Sequence, residues 1–453
     1  MRVGIITLGC DKNTVDNEYV AGLLAEAGCE VTPLSWDEAP EFPLDAAIIT
    51  TCGFIHSAKQ QSVDSIAALA EQKREQGNPK RLFVAGCLAQ RYAEELLHEI
   101  PEIDGLVGVG QFDQLARMVL GGEDGHVDAH RPSPVVDIYR LIRRRRIEQT
   151  PHAFLKISDG CNHACTFCSI PSMKGKLRSV PPEILLDEAR GLLDQGVREL
   201  NLVAQDLADY GRDRWKDYRL PELLRDLAAL DGDFWLRCLY VYPGGITDRF
   251  LEVLASEPKI VPYLDMPLQH LDTETLHRMK RPHREVNTVQ LVRRLREALP
   301  NLTLRTTMIV GFPGETPQAH QRMLDLVEEL RFDRLGVFQY SREEDTPAAA
   351  MPRQVGKQVR EKRWHAVMER QAEISARLNE RRMGRHERVL VEAYDADQRL
   401  WVGRSGAEAP EIDGNIFFSA PGYLRVGDFV HVEITEPDVY DLYGRQSVPQ
   451  AVS

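Results

Sequence analysis

Long apolar runs are missing from this sequence: nowhere do roughly eighteen consecutive apolar residues occur, so a membrane-spanning helix is not expected. Positive charge is also in deficit. Lys and Arg number 56 against 69 Asp and Glu, a formal net charge of -13. That balance argues against a general nucleic-acid coat protein, whose affinity comes from clustered cations on phosphate. An acidic chain is better matched to a basic partner. Cysteine is scarce as well, with 8 in 453 residues, which does not suit a disulfide-stapled secreted scaffold. The opening "MRVGIITLGC" faintly resembles a lipoprotein cleavage site. Only seven residues separate Arg2 from Cys10, too few for a secretory apolar core, and the run reads as a buried first strand. A cytoplasmic protein is expected. Core-forming residues are plentiful: 43% hydrophobic against 28% charged suits two to four globular domains and does not suit disorder.

The few cysteines are not scattered. "VGIITL" precedes a helical pattern near Asn13 to Ala27, "AAIIT" one near Ser57 to Gln76, and "RLFVAG" one beginning near Ala89. This alternation predicts a parallel sheet covered by helices over residues 1–120. Cys10, Cys52 and Cys87 follow these three strands almost at once, beside Gly9, Gly53 and Gly86. Ligands of open parallel sheets lie beyond the carboxyl ends of the strands, so the three thiols form a candidate metal site. Any one of them alone would read as an ordinary small buried residue, as Cys29 and Cys238 do. "GVGQFD" from Gly108 lacks the spacing of a dinucleotide fingerprint and reads as a turn.

Residues 121–146, rich in Gly, His, Pro and charge, read as a linker, and Arg143 to Arg146 as its solvated end, the other reading being contact with an acidic partner or RNA. Over 147–382 six strand-like runs follow in order: "AFLKIS", "ELNLVAQ", "FWLRCLYV", "YLDMPLQ", "LRTTMIVGF" and "RLGVFQY". Helical stretches such as Pro182 to Gln195, Leu220 to Ala229 and Gln318 to Leu330 separate them, which predicts a six-unit (β/α) partial barrel with its reactive groups at the strands' carboxyl ends. Directly after the first strand comes "DGCNHACTFCSIPSMKGKLRS", carrying Cys161, Cys165 and Cys168. Zinc on these thiolates with His163 is one reading. A cubane iron-sulfur cluster, which takes three thiolates from one loop and leaves an iron open, suits the crowded spacing better. Gln205, Asp206, Asp265, Gln269 and His270 close their strands as candidate ligand contacts or helix caps. After a charged helix near Lys357 to Arg382, residues 383–449 read as short strands of a small all-β barrel. From Arg385 onward it holds twelve acidic residues against six arginines and no lysine.

Cys161, Cys165 and Cys168, with Phe167 before the last, resemble the signature of radical S-adenosylmethionine enzymes. The resemblance implies a 4Fe-4S cluster on those thiolates, whose open iron takes the amino and carboxylate groups of S-adenosylmethionine. It also implies contacts to that cofactor from Phe167 and from Gly311 and Gly314 in "IVGFPGET". No catalytic base is assigned, since hydrogen abstraction by a radical needs none. The three-cysteine domain ahead of the barrel resembles the methylthiotransferases of that superfamily. This implies a second 4Fe-4S cluster on Cys10, Cys52 and Cys87, with S-adenosylmethionine serving as methyl donor and as radical source. A reductase or flavodoxin-like protein would supply electrons.

Two branches of the family differ in substrate: one modifies an adenosine beside a tRNA anticodon, the other the β-carbon of an aspartate in the twelfth protein of the small ribosomal subunit. "TCGFIHSA", "LVAQDLADYG", "YLDMPLQH", "GVFQYSREEDTPAA" and "GRSGAEAPEIDG" look like the second. Departures are small: Asp11 where proline is usual, Thr50 where asparagine is common, and Asp345 in place of a glycine. The C-terminal strands resemble a TRAM domain, a module that often binds RNA, yet so acidic a surface should repel tRNA and attract a basic ribosomal protein. Nucleic acid is therefore not expected as the direct substrate. The alternatives are tRNA methylthiolation and a non-catalytic zinc or iron-sulfur module that docks on the ribosome.

Overall fold

A computed structural model describes residues 1–36, 42–121, 143–281 and 287–447. The chain opens with β1 (Arg2–Thr7), α1 (Asp11–Glu26), β2 (Glu30–Pro33), β3 (Ala46–Thr51), α2 (His56–Gln76), β4 (Leu82–Gly86), α3 (Cys87–Arg91) and β5 (Ile103–Val107). The strands form one parallel sheet in the order β2-β1-β3-β4-β5. β3 is central and buried along its whole length, which is why it reads as an unbroken apolar run. The expected sheet is present with two strands added. β2 is a four-residue edge strand ending in a proline, and β5 is interrupted by Asp104-Gly105, so neither carries a strand signal of its own.

The central sheet holds β6 (His152–Lys156), β9 (Glu199–Val203), β10 (Trp235–Cys238), β11 (Ile260–Asp265), β12 (Thr303–Val310) and β13 (Arg334–Gln339), parallel and in chain order. This is the six-unit partial barrel, open between β6 and β13. A two-stranded ribbon, β7 (Ser158–Asp159) with β8 (Arg178–Ser179), pinches the base of the cysteine loop. Helices Pro182–Asp194, Leu220–Ala228 and Pro317–Leu330 stand where the periodicity places them. The helix Lys357–Glu380 lies along β13, its Trp364 Nε1 donating to Val337 O at 2.8 Å and its Gln371 Nε2 to Phe332 O at 2.9 Å.

Last come β14 (His386–Asp395), β15 (Leu400–Ser405), β16 (Ile416–Ser419), β17 (Phe429–Pro437) and β18 (Leu442–Ser447), closed into a barrel in the order β14-β15-β16-β18-β17. Closure leaves no exposed strand edge. Its core is Val389, Val391, Phe418, Val432, Ile434 and Leu442.

Residues 122–142 of the expected linker lie outside the described residues. The reading of Arg143 to Arg146 as solvated is corrected: Arg144 and Arg146 are buried while Arg143 and Arg145 are exposed. Arg144 pairs with Glu18 of α1 and, at 2.7 Å, with Glu188, and Arg146 donates to His152 O at 3.1 Å. In an extended segment alternate side chains face opposite ways, so this charge run stitches the N-terminal domain to the half-barrel.

The loop from Arg404 to Asp413, between β15 and β16, enters the half-barrel at the amino ends of its strands. Arg404 reaches Glu199 on β9 at 2.6 Å, and Gly406 O accepts from Arg237 on β10 at 2.8 Å. Glu408 binds Arg334 on β13 at 2.9 Å. Asp413 accepts from Arg305 on β12 at 3.0 Å and from Tyr263 on β11 at 2.6 Å. The C-terminal domain thereby closes the floor of the half-barrel. Among the described residues no helix is long and apolar enough to cross a membrane.

Candidate functional site

The carboxyl ends of β1, β3 and β4 bring Cys10, Cys52 and Cys87 together. Cys10 is the N-cap residue of α1 and Cys87 the first residue of α3. Each neighbouring glycine answers to this convergence. Gly9 has φ +103°, and a Cβ there would lie 2.9 Å from Cys52 Cβ; a Cβ at Gly53 would lie 2.8 Å from Cys87 O; Gly86 has φ +99°. Only glycine permits these approaches. Asn13 ties the loops by donating to Leu8 O at 2.6 Å, and Ser62 Oγ accepts from Cys52 N at 3.0 Å. Burial pushes the Cys87 thiol up to about 12 against the pull of Lys174, and raises Cys52 as well. Thiols so placed wait protonated and give up protons when a metal arrives.

The second triad lies on the loop between β7 and the short helix Ile170–Lys174. Gly160, at φ +77°, lets the loop pass within 2.2 Å, measured from an ideal Cβ, of Lys176 O. Thr166 fastens the far side: its hydroxyl donates to Arg278 O at 2.9 Å and its carbonyl accepts from Ala348 N at 2.9 Å. Burial pushes Cys161 up to about 11 and Cys168 up to about 12; backbone N–H groups of His163 and Ile170, respectively, pull the other way. Arg281 points its guanidinium at Cys165 Sγ, 3.8 Å away.

His163 does not join these thiols. Its Nε2 lies 2.6 Å from Asp206 Oδ2 and its ring stacks on Tyr242 at 4.2 Å. Four donors around a tetrahedral zinc sit about 3.8 Å apart. Among the described residues only His163, Asp206 and Asp209 bring three ligand atoms within 4.8 Å of one another, and no three thiols do. The donor set of three thiols per site, spread wider than zinc requires, fits a cubane cluster.

The N-terminal triad packs against the helix that directly follows the second: Cys87, Val109 and Met173 form a buried apolar group, with Phe54 and Ile170 against them. Behind this group lies a buried charge cluster in which Lys174 approaches Asp159 at 3.2 Å and Lys156 binds Asp16. Burial pulls the Lys174 ammonium down, but Asp159 and Asp16 outweigh it and raise it. The N-terminal domain is also held from β13's loop, where Glu343 pairs with Lys59 at 2.7 Å and accepts from His56 N at 2.8 Å.

The strand-end residues divide. Asp206 caps the turn Leu207–Asp209 by accepting from Ala208 N at 2.8 Å. His270 is fully buried, with Nδ1 accepting from Asp272 N at 2.9 Å. Gln269, at φ +72°, bridges its backbone to β12. Gln205 Oε1 and Asp265 Oδ1 have no hydrogen-bond partner among the described residues, nor does either end of the Asn201 amide on β9. Burial pushes Asp265 up to about 6, opposed by Arg305. Phe167 meets Phe312 edge to face at 6.5 Å, so the loop and the "GFPG" turn do converge. The crowding at Gly311 and Gly314 comes from Arg360 and Arg278, which occupy the space of a Cβ. Lys12, Tyr240, Tyr242 and Arg281, all at the mouth, were not legible from spacing; Tyr240's aromatic neighbours in "LYVYP" carry no motif.

The departures from the family pattern have local explanations. Asp11 accepts from Tyr240 OH at 3.0 Å, Thr50 Oγ1 donates to Asn17, and Asp345 adopts φ +62°, a conformation that favours glycine.

Family models match residues 2–108 to Uncharacterized protein family UPF0004, 155–327 to the Radical SAM superfamily and 383–446 to the TRAM domain. The chain is 44% identical over 448 residues to ribosomal protein uS12 methylthiotransferase RimO of Geobacter sulfurreducens, covering 98% of each chain. It is 43% identical, at the same coverage, to the protein of that name from Desulforamulus reducens. Among solved structures, the radical S-adenosylmethionine methyltransferase TsrM from Kitasatospora setae superposes with a TM-score of 0.58 over 77% of this chain and 76% of that one, at 16% identity. That likeness is one of fold.

Proposed function

The chain belongs to the ribosomal protein uS12 methylthiotransferase family of radical S-adenosylmethionine enzymes, and from that membership we propose that it replaces a hydrogen on the β-carbon of an aspartate in the twelfth small-subunit ribosomal protein with a methylthio group. In this reading Cys161, Cys165 and Cys168 hold the radical cluster, and Cys10, Cys52 and Cys87 hold a second cluster that serves sulfur delivery. A cluster held by Cys161, Cys165 and Cys168 would supply one-electron chemistry for cleaving S-adenosylmethionine to a radical able to remove hydrogen from an unactivated carbon. Phe167, Gly311 and Gly314 flank S-adenosylmethionine, and Arg281 places positive charge beside Cys165. A reductase or flavodoxin-like protein supplies the electron.

The observation that supports this reading is the packing of Cys87, from the N-terminal triad, against Met173 and Ile170 of the helix that directly follows the Cys161–Cys168 loop. A group delivered from one side meets a carbon activated from the other, and positioning of that kind removes a large share of the barrier. Residues 1–120 then serve sulfur delivery, 147–382 radical generation and 383–449 docking. Exposed Asp397, Glu436 and Asp438 on the C-terminal barrel suit a basic protein partner.

The test begins with anaerobic reconstitution and counts of iron and sulfide. About eight irons are expected, falling to about four in a Cys161→Ala, Cys165→Ala, Cys168→Ala variant. Mass spectrometry should then find the methylthio gain on the ribosomal protein, and none with the variant. Zinc in place of iron, or modification of tRNA and not of the protein, overturns the proposal.

A further inference from the structure

We propose that Lys12 recognises the carboxylate of the target aspartate and so determines which side chain is modified, an inference that rests on the protein-aspartate reading above. Lys12 is the second residue of α1, two positions past Cys10, on the face of the N-terminal domain that looks into the mouth of the half-barrel. The residue is 7% exposed. The buried lysines Lys156 and Lys174 have Asp16 and Asp159, and the half-buried Lys59 has Glu343. Among the described residues Lys12 has no such partner; its ammonium rests on the face of Tyr240, 3.5 Å from the ring centroid. A buried ammonium that rests on a ring, with the Asp265 carboxylate within electrostatic reach but no ion pair made to it, can take an incoming anion.

The ring beneath it is fixed. Tyr240 is held at φ +64°, unusual for an aromatic residue. Its hydroxyl donates to Asp11 Oδ2 at 3.0 Å and its N–H to Asp265 Oδ2 at 3.1 Å. Both ends are tethered, so the platform cannot swing away to leave Lys12 in water. Asp11, the nearest carboxylate in sequence, is engaged with Tyr240 instead.

Position selects the target carboxylate over that of S-adenosylmethionine. Lys12 stands beside Cys10, on the sulfur-delivering side, whereas the cation beside the radical loop is Arg281. The β-carbon of an aspartate is bonded directly to its carboxylate carbon. An ammonium that grips the carboxylate next to Cys10 therefore leaves the β-carbon between the two triads. A carboxamide offers the same shape without the charge, so asparagine should be refused.

The experiment uses the reconstituted full-length enzyme and a synthetic peptide spanning the modified residue of the ribosomal protein, in Asp and Asn forms. The wild type is expected to bind the Asp form about tenfold or more tightly than the Asn form. Lys12→Met should abolish that preference with iron content and S-adenosylmethionine affinity unchanged, and Lys12→Arg should restore part of it. Lys12→Gln provides the same comparison if the methionine variant loses iron. An unchanged Asp-to-Asn ratio in the Met and Gln variants overturns the proposal while leaving the enzyme's function standing. So does loss of S-adenosylmethionine affinity with the ratio intact, which would assign Lys12 to the cofactor. If the wild type modifies RNA and not the ribosomal protein, the functional reading fails first and this inference with it.

Discussion

The floor and the mouth of the half-barrel are built from the same residue types and treat them in opposite ways. At the floor, both carboxylate oxygens of Glu199, Glu392, Glu408 and Asp413 have donors, drawn from Arg237, Arg404, Arg334, Arg305, His152, Ser405 and Tyr263. Toward the mouth, Asp265 Oδ1 has no hydrogen-bond donor and only a 3.6 Å ion pair to Arg305, Gln205 keeps its amide oxygen and Asn201, midway along β9, both amide atoms without partners, and Lys12 rests on a ring. Buried polar groups are ordinarily satisfied. Among the described residues the floor pairs all of these carboxylate oxygens, with Arg237 Nη2 and Arg334 Nε left without acceptors, whereas the mouth leaves a carboxylate oxygen and amide atoms open; the contrast suits a floor built for stability and a mouth built for ligands.

Removing charge should therefore have opposite consequences at the two ends. The largest effect is expected from Glu408→Ala, which leaves Arg334 and Arg382 facing each other without their shared carboxylate. About 3–5 kcal/mol of stability should be lost, measurable as an earlier denaturant transition. Asp265→Asn should instead stabilise. Its folded pKa of about 6 lies above the ordinary carboxylate value, so whatever stability the wild-type group contributes is present below about pH 4 and lost as pH rises through about 6. The variant should gain up to about 3 kcal/mol over wild type at pH 8, a gap that closes toward pH 4, while methylthiolation falls about tenfold or more. A destabilised Asp265→Asn would erase the distinction between the ends.

Gly9→Ala tests the backbone at the mouth. Positive φ and a Cβ placed 2.9 Å from Cys52 Cβ should cost about 1–3 kcal/mol, and iron counts should drop by about half because only the first triad is disturbed. The smallest effect belongs to His152 at the floor. Burial pulls its pKa down, but hydrogen bonds to Glu392 and Glu411 outweigh it and raise it. Its contribution is full below the ordinary histidine value and lost as pH rises through the raised one. His152→Gln should thus lose about 1 kcal/mol at pH 6 and almost nothing at pH 9, read from paired melting curves.

The legible parts of the molecule were those whose signal is local. Strand-end cysteines flanked by glycine announce themselves because sheet topology brings the ends of parallel strands together whatever lies between. The three domains follow from changes in hydrophobic period. The floor was not legible: "GRSGAEAPEIDG" marks the family branch, but nothing in it reveals that Arg404 is to meet Glu199, 205 residues away. Arg144 and Arg146 were misread because a charge run looks solvated until alternate members find Glu18, Glu188 and a backbone carbonyl. His163, adjacent in sequence to the thiols, is drawn away by Asp206 and Tyr242, which stand in the turns after β9 and β10. Lys12 needed the half-barrel in place before its missing partner could be noticed.

The loop from Arg404 to Asp413 also bears on heredity and on engineering. Because it engages β9, β10, β11, β12 and β13 at once, the C-terminal barrel is not an exchangeable module. A chimera that borrows the barrel of a distant relative would strand Glu199, Arg237, Arg305 and Arg334 with ill-matched neighbours. Graft boundaries drawn through β15 and β16, retaining the host's loop, would transplant the outer surface alone. Natural drift in the C-terminal barrel should accordingly be concentrated on its outward strands, with the loop and the floor of the half-barrel changing in step or not at all.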